Sequence, residues 1–273
     1  MFFVALQKFL HHISYNAFHL LLDENSQNSH KLHIYTQLVL VPFYSPLCTT
    51  QNFIFFEVLA RPTFLECRVS LYNMGEERPL VIDVIDNGGQ WTHREWRMLR
   101  YLGCDTKIID NNTPVSELRK LDALLLSGGA ARVGLTGELG NCAEYLQLEI
   151  PILGICAGHQ FMAGYYGGKA APAPEPEFGA AEISLVDGGG LIFENTPETQ
   201  QVWESHNDEV VIVPENFRIT ASSDSCKVQA MENDTKDRFG LQFHPEVDHS
   251  EYGRKMFENF IDVCKKSKSR QSI

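Results

Sequence analysis

The sequence predicts an α/β protein with a mostly parallel central sheet, flanked by helices and extended by antiparallel strands. Three observations predict it. Short continuous apolar runs, Leu80–Asp86, Leu121–Ser127 and Pro151–Ile155, have the length and composition of strands buried on both faces. Segments with one apolar face lie between them, joined by short loops, and such alternation builds a right-handed parallel sheet. After Gly168 the pattern turns to period-two and β-branched runs (AEISLV, EVVIV, RITASS, KVQAM, FGLQF), which indicate antiparallel strands.

In chain order, Leu80–Asp86 closes in the turn Asn87-Gly88-Gly89. In QWTHREWRMLRYLG, Trp91, Met98, Leu99 and Leu102 share one helical face, and Gly103 stands where a helix end favours a left-handed residue. Thr106–Asp110 reads as a strand and Pro114–Lys120 as a short helix opened by proline. A helix is expected around Glu138–Leu148, and another runs through Gly158–Tyr166 after the strand Pro151–Ile155. The proline-rich APAPEPEFG reads as a loop. The last helix carries Met256, Phe257, Phe260, Ile261 and Cys264 in one stripe, and the basic tail, residues 266–273, is expected to fray from it.

Composition narrows the function. With 23 Lys and Arg against 35 Asp and Glu, the 273-residue chain carries a net charge of −12, the wrong sign for neutralising phosphates. Nucleic acid is not an expected partner. All but eight of the charged residues fall in 74–273; the eight others are Lys8, Lys31, Arg61 and Arg68 with Asp23, Glu24, Glu57 and Glu66. Residues 1–73 are therefore read as an extension outside the chemistry, of the kind an over-long start site gives. A domain of residues 74–265 follows, with Met74 leading into GEERPLVIDVIDNGG. The opening FFVALQKFLHHISYNAFHLLL contains Lys8, His11, His12, Asn16 and His19, a poor membrane span, and no signal-peptide pattern appears. Seven cysteines without a C-x-x-C pair indicate neither a disulfide framework nor a zinc ribbon, so a reducing cytoplasm is the expected compartment and no metal is expected.

The segment richest in chemistry is Gly154-Ile155-Cys156-Ala157-Gly158-His159-Gln160. A nucleophile on a sharp strand-to-helix turn needs small neighbours, and Gly154 and Gly158 flank Cys156 at two residues on either side. A helix N-terminus also favours thiolate over thiol. Alone, Cys156 reads more readily as a buried small hydrophobe. Near the C-terminus stands His244-Pro245-Glu246; in extended chain, residues two apart share a side, so Glu246 can orient the His244 ring as an activating base requires. Ser127-Gly128-Gly129 closes a strand with unobstructed backbone N–H groups, the donors a tetrahedral oxyanion needs. Each has a bland reading in isolation, and together, in this order, they do not.

The set SGG, GICAGHQ and HPE resembles the class I, triad-type glutamine amidotransferases, whose fold is flavodoxin-like. Within that superfamily DNGGQ, WESHNDEV and FHPEVDHSEYG are similar to the glutaminase unit of GMP synthetase, over residues 79–264. The resemblance implies Cys156 as nucleophile, His244 as general base and then acid, and Glu246 as the residue orienting the imidazole. It implies an oxyanion hole of the Gly129 and Ala157 N–H groups, and glutamine held by Gln160, Ser205, His206, Asn207 and Asp208. Two departures stand out: Ala130-Ala131-Arg132 follows SGG where the family has proline, and Asn207 replaces a glycine, a substitution compatible with left-handed backbone. No phosphate loop of the SGGVDS type is present, so the resemblance implies no cofactor in this chain, with ATP and Mg on a separate ATP-pyrophosphatase subunit that aminates XMP. The weighed alternatives are the small glutaminase subunit of anthranilate or aminodeoxychorismate synthase, a fold that has lost activity, and a stand-alone class I cysteine hydrolase.

Overall fold

A computed structural model describes residues 39–43, 52–61, 64–72 and 78–271. The chain divides into two compact units, residues 1–77 and 78–273, four residues later than the boundary expected from composition. In the first unit β1 (Val39–Phe43), β2 (Asn52–Arg61) and β3 (Phe64–Tyr72) form an antiparallel sheet in that order, with Val39 opposite Phe56 and Phe53 opposite Tyr72. In β2 the apolar residues 53–56 and 58–60 run consecutively and hide the two-residue alternation of a strand, whereas in β3 Leu65, Cys67, Val69 and Leu71 do alternate with Glu66, Arg68 and Ser70. The readings made on residues 1–38 lie outside the described residues.

The second unit is built on one nine-stranded sheet. Its parallel part contains β4 (Ile82–Asp86), β5 (Ile108–Asp110), β6 (Ala123–Leu126), β7 (Ile152–Ile155) and β12 (Arg238–Leu241), in the order β5-β4-β6-β7-β12. The antiparallel part continues from β12 through β11 (Ala230–Asn233), β10 (Phe217–Ser222) and β8 (Lys169–Leu185) to β9 (Thr199–Ile212) at the edge. The mixed sheet foreseen from the change of pattern after Gly168 is present.

The parallel strands read as continuous apolar runs because both faces are covered. On β6, Leu125 belongs to one core with Ile82, Val84, Leu153 and Phe239, whereas Leu124 and Leu126 belong to another with Ile85, Ile152 and Met162. Helix α1 (Thr92–Tyr101) and the final helix α5 (Gly253–Gln271) cover the first face, and Met256, Phe257, Phe260, Ile261 and Cys264 are all buried in it. The second face is covered by α2 (Val133–Thr136), α3 (Cys142–Tyr145) and α4 (Ala157–Tyr165).

Four expectations are corrected. The helix around Glu138–Leu148 shrinks to the four residues of α3, since Gly137 and Gly140 adopt φ of 68° and 51° and break the segment. Pro114–Lys120 supplies only a single 3-10 turn, Val115–Glu117. The proline-rich segment is no loop but part of β8. Its pairing with β9 lapses between Pro172, opposite Asp208, and Glu177, opposite His206, and β10 bonds β8 only at Ser184 and Leu185, so prolines sit where donors have no partner to meet. The basic tail does not fray at residue 266: α5 continues to Gln271, and Lys268 reaches Asp122 at 3.3 Å.

The close seat of α4 against the sheet is set by Gly158, where an added Cβ would lie 2.4 Å from the Leu126 carbonyl oxygen. Gly158→Ala should therefore cost about 1–3 kcal/mol of stability, read as a lowered urea midpoint; an unchanged midpoint would show that the helix start is loosely seated.

Candidate active site

Cys156 stands at the end of β7, one residue before α4, with φ 48° and ψ −106°. Few non-glycine residues are held in that region, and the strain aims the side chain out of the turn. The turn closes because its flanks are bare: a Cβ on Gly154 would lie 2.7 Å from the Gly158 backbone. The Cys156 N–H donates to Leu241 O at 2.7 Å, and the Gln160 N–H to Cys156 O at 2.9 Å, so the residue is pinned to β12 on one side and to the first turn of α4 on the other.

Just past the end of β12 comes the histidine. His244 Nδ1 lies 2.8 Å from Glu246 Oε1, and both side chains are buried. The pairing is the one expected, but the backbone is not: β12 ends at Leu241, and Pro245 and Glu246 form a turn, so the turn rather than extended alternation brings the carboxylate to the ring. The segment is anchored from β9, with His244 N–H donating to Trp203 O at 2.9 Å and Ser250 Oγ bridging from Trp203 N–H (3.0 Å) to His244 O (2.6 Å). The Trp91 ring meets the imidazole edge-on at 4.4 Å.

Burial pushes the His244 pKa down, yet the Glu246 carboxylate and the hydrogen bond to Cys156 outweigh it and hold the imidazole well above its ordinary value. An imidazole whose protonated form is favoured in this way is suited to donating a proton.

The Ser127–Gly129 loop closes the site. A Cβ on Gly128 would lie 3.0 Å from His244 Cε1 and 3.5 Å from Cys156 Cβ, so this backbone lies against both side chains. A cavity of about 350 Å³ opens here. Cys156, His244, Glu246, Gly129, Gln160, Ser205, His206, Asn207 and Asp208 all line it; Ala157, buried as the first residue of α4, does not. Several of these side chains are already engaged. Gln160 Nε2 donates to Asp208 O at 2.6 Å and to Gln242 Oε1 at 3.2 Å. Asp208 takes Arg132 Nε at 2.9 Å and the Gly134 N–H at 3.0 Å. These residues frame the cavity, while Asn207 is exposed within it. Asn207 lies in β9 without positive φ, so its replacement of glycine calls on no left-handed tolerance.

Sequence reasoning passed over Trp91, Glu95, Arg132, Phe178 and Gln242. Arg132 was visible as a departure from the family pattern; its bond to Asp208, 76 residues away, was not. Glu95 was hidden inside an amphipathic helix.

Behind the cavity lies a second polar cluster. Glu177 accepts from Ser223 Oγ (3.0 Å) and Gln229 Nε2 (2.8 Å) and meets His206 Nε2 at 2.9 Å. Burial works to raise Glu177, but the bonds from His206, Ser225 and Ser223 prevail and its pKa is lowered. Glu204 lies 3.4 Å from the same His206 nitrogen, with neither oxygen in a well-aligned hydrogen bond, and burial raises its pKa to about 7. Glu177, His206 and Cys226 present ligand atoms within 4.8 Å of one another and could hold a metal ion. As they stand, His206 and Glu177 already satisfy each other.

A thiol beside an imidazole that a carboxylate orients, with bare backbone facing both, is chemically capable of acyl transfer through a thioester. The family model for class-I glutamine amidotransferases matches residues 83–264, a span that takes in the whole cavity. The chain belongs to that family. Among relatives, a protein of Thermoplasma acidophilum named as one subunit of glutamine-hydrolyzing GMP synthase is 48% identical over 187 residues, covering 68% of this chain and 93% of the relative. The protein of the same name from Haloquadratum walsbyi is 47% identical over 185 residues, covering 67% and 98%. A solved Thermoplasma acidophilum structure, described as a candidate for the same GMP synthase component, is 44% identical with a TM-score of 0.68, over 72% of this chain and all of that one.

Glu204 gives this amidotransferase domain a pH signature. Its carboxyl rises from the usual 4.5 to about 7, so the stability it contributes is complete below pH 4.5 and is lost as pH rises through 7, on the order of 3 kcal/mol in all. Urea midpoints compared at pH 5 and pH 8 should fall less steeply in Glu204→Gln than in the parent; parallel lines for the two would refute the assignment.

Proposed function

We propose that this amidotransferase is the glutaminase component of a two-subunit GMP synthase, hydrolysing L-glutamine and passing ammonia to a separate ATP-pyrophosphatase subunit that aminates XMP. The observation that carries the reading is the Cys156–His244–Glu246 constellation in a cavity, within a chain that covers 93% and 98% of two relatives named as GMP synthase subunits. ATP and Mg would act on the partner, and this chain would need no cofactor of its own.

The geometry supports the following sequence of steps. The Cys156 thiolate attacks the carboxamide carbon of glutamine, and the carbonyl oxygen becomes an oxyanion facing the N–H of Gly129, which lines the cavity. His244, as imidazolium, gives its proton to the nitrogen as the C–N bond breaks and ammonia departs, leaving a thioester. Water then attacks the thioester carbon, losing its proton to the now neutral His244, and glutamate leaves as the thiolate re-forms. Glu246 holds the ring and stabilises its charge throughout. Substrate contacts fall to Ser205, Asn207 and the frame of Gln160, His206 and Asp208. Among the described residues, those that line the cavity lie between Gly88 and Glu246.

Two assays test this. Cys156→Ala should abolish glutamine-dependent GMP formation, by at least about a thousandfold in kcat, while the complex with the partner still forms GMP from added ammonia; Glu246→Gln should be milder than His244→Ala. Equal loss with glutamine and with ammonia would refute the assigned role. Separately, the lone chain should hydrolyse glutamine slowly and accelerate when the partner, ATP and XMP are added, since free hydrolysis would release ammonia to water. Equal rates would favour a stand-alone hydrolase.

A further inference from the structure

The cavity has one permanent cation, and none of the steps above uses it. Among the described residues that line the cavity, Arg132 is the one lysine or arginine, set against the carboxyl groups of Glu95, Asp208 and Glu246. It stands on a loop of which Gly128, Gly129, Ala130 and Ala131 line the cavity as well. The sequence marks the same place as a departure, since Ala130-Ala131-Arg132 follows SGG where the family pattern has proline.

The bonds of Arg132 show which part of it is left open. Asp208 Oδ1 accepts from Arg132 Nε at 2.9 Å and from Nη2 at 2.6 Å, while Asp208 Oδ2 accepts the Gly134 N–H at 3.0 Å. Asp208 is buried, so the guanidinium is held along one edge by a carboxylate whose two oxygens are both engaged. Only part of the guanidinium's donor set is spent in this way. Nη1 meets no acceptor among the described residues, and the side chain keeps 43% of its surface exposed. The open edge, formed by Nη1 and Nη2, is a planar fork that matches the two oxygens of a carboxylate.

We propose that Arg132 is the specificity-determining residue of the glutaminase centre: the guanidinium edge that Asp208 leaves open takes the α-carboxylate of the substrate. The inference rests on the glutaminase reading made above. Glutamine offers a carboxamide at one end and an α-carboxylate at the other, with two methylenes and the α-carbon between them. Cys156 and Gly129 act on the first end. Three residues of chain span at most about 10 Å, so one short loop carries both the Gly129 N–H for the amide oxygen and the Arg132 fork for the carboxylate. Without Arg132, Asp208 and Glu246 would meet that carboxylate with charge of its own sign. Asp208 holds the fork in place before substrate arrives, which lowers the ordering that binding must supply. A free α-carboxylate thus separates glutamine from other γ-carboxamides, among them glutamine side chains within a polypeptide.

The test compares L-glutamine with L-glutaminamide, in which a neutral amide replaces the α-carboxylate, using the full chain with its partner, ATP and XMP and chromatography of the deamidated products. The parent should favour glutamine by about thirtyfold or more in kcat/KM, the scale of a charge-assisted hydrogen bond. Arg132→Gln can still donate to Asp208 but has neither charge nor fork, and the preference should collapse to within about threefold. A ratio cancels any loss common to both substrates, so an arginine that only braces Asp208 would leave the preference intact when replaced. That result overturns the proposal, as does a parent without preference. Should Arg132→Gln fail to fold, Arg132→Lys decides. Lysine pairs with Asp208 but presents no fork, so the preference should fall by about fivefold, and an unchanged preference overturns the proposal. A parent that hydrolyses neither amide would instead show that the glutaminase reading itself is wrong.

Discussion

The structure depends on one close approach, that of α4 to the strands beside it. Cys156 can be held at φ 48° only because Gly154 and Gly158 let the helix start within contact of β6 and β7. From that seat follow the aim of the thiol, the alignment of the α4 N-terminus beneath it, and the room left for Gly128 against both Cys156 and His244. A single methyl group at either flank would meet backbone, which cannot rotate away as a side chain can. The strain at Cys156 is sustained because the sheet below it, with Leu124, Leu125 and Leu126 fully buried, leaves no cheaper arrangement.

Electrostatics supply the second organising constraint. The domain buries Glu95, Glu204 and Glu246 around and behind the cavity, and their environments divide them. Glu246 has an imidazole against one of its oxygens, whereas Glu95 and Glu204 are pushed upward by burial. One carboxylate is paired with the histidine while its neighbours are held toward the uncharged form, so the His244–Glu246 pair keeps its own field.

Much of this was legible in the sequence because it is local. The apolar runs of β4, β6 and β7, the stripe of α5, and the glycines around Cys156 each declare themselves within a dozen residues. The proline-rich start of β8 did not, because whether a missing N–H matters depends on which side of the strand has a neighbour, a property of the sheet and not of the segment. The His244–Glu246 contact was foreseen by an argument from extended chain, yet it is made by a turn, and the anchors of that turn, Trp203 and Ser250, come from elsewhere in the chain. Arg132 and Glu95 were missed for the same reason: Asp208, which Arg132 binds, and the cavity wall that Glu95 joins are their neighbours only after folding. The short α3 was misjudged because Gly137 and Gly140 act through backbone angles that an apolar pattern does not reveal.

The parallel pairing of β7 with β12 sets Ile155 opposite Leu241, and the chain leaves both strands straight into the reacting groups. Among neighbouring strands of this sheet these two are the farthest apart in sequence, with the whole antiparallel half of the sheet between them. The imidazole is therefore set beside the thiol by a long-range pairing. A chain whose synthesis has not yet reached β12 carries Cys156 with no His244 beside it. Reactivity here is a certificate of completed folding, and the cell is spared a glutamine-consuming thiol on unfinished protein.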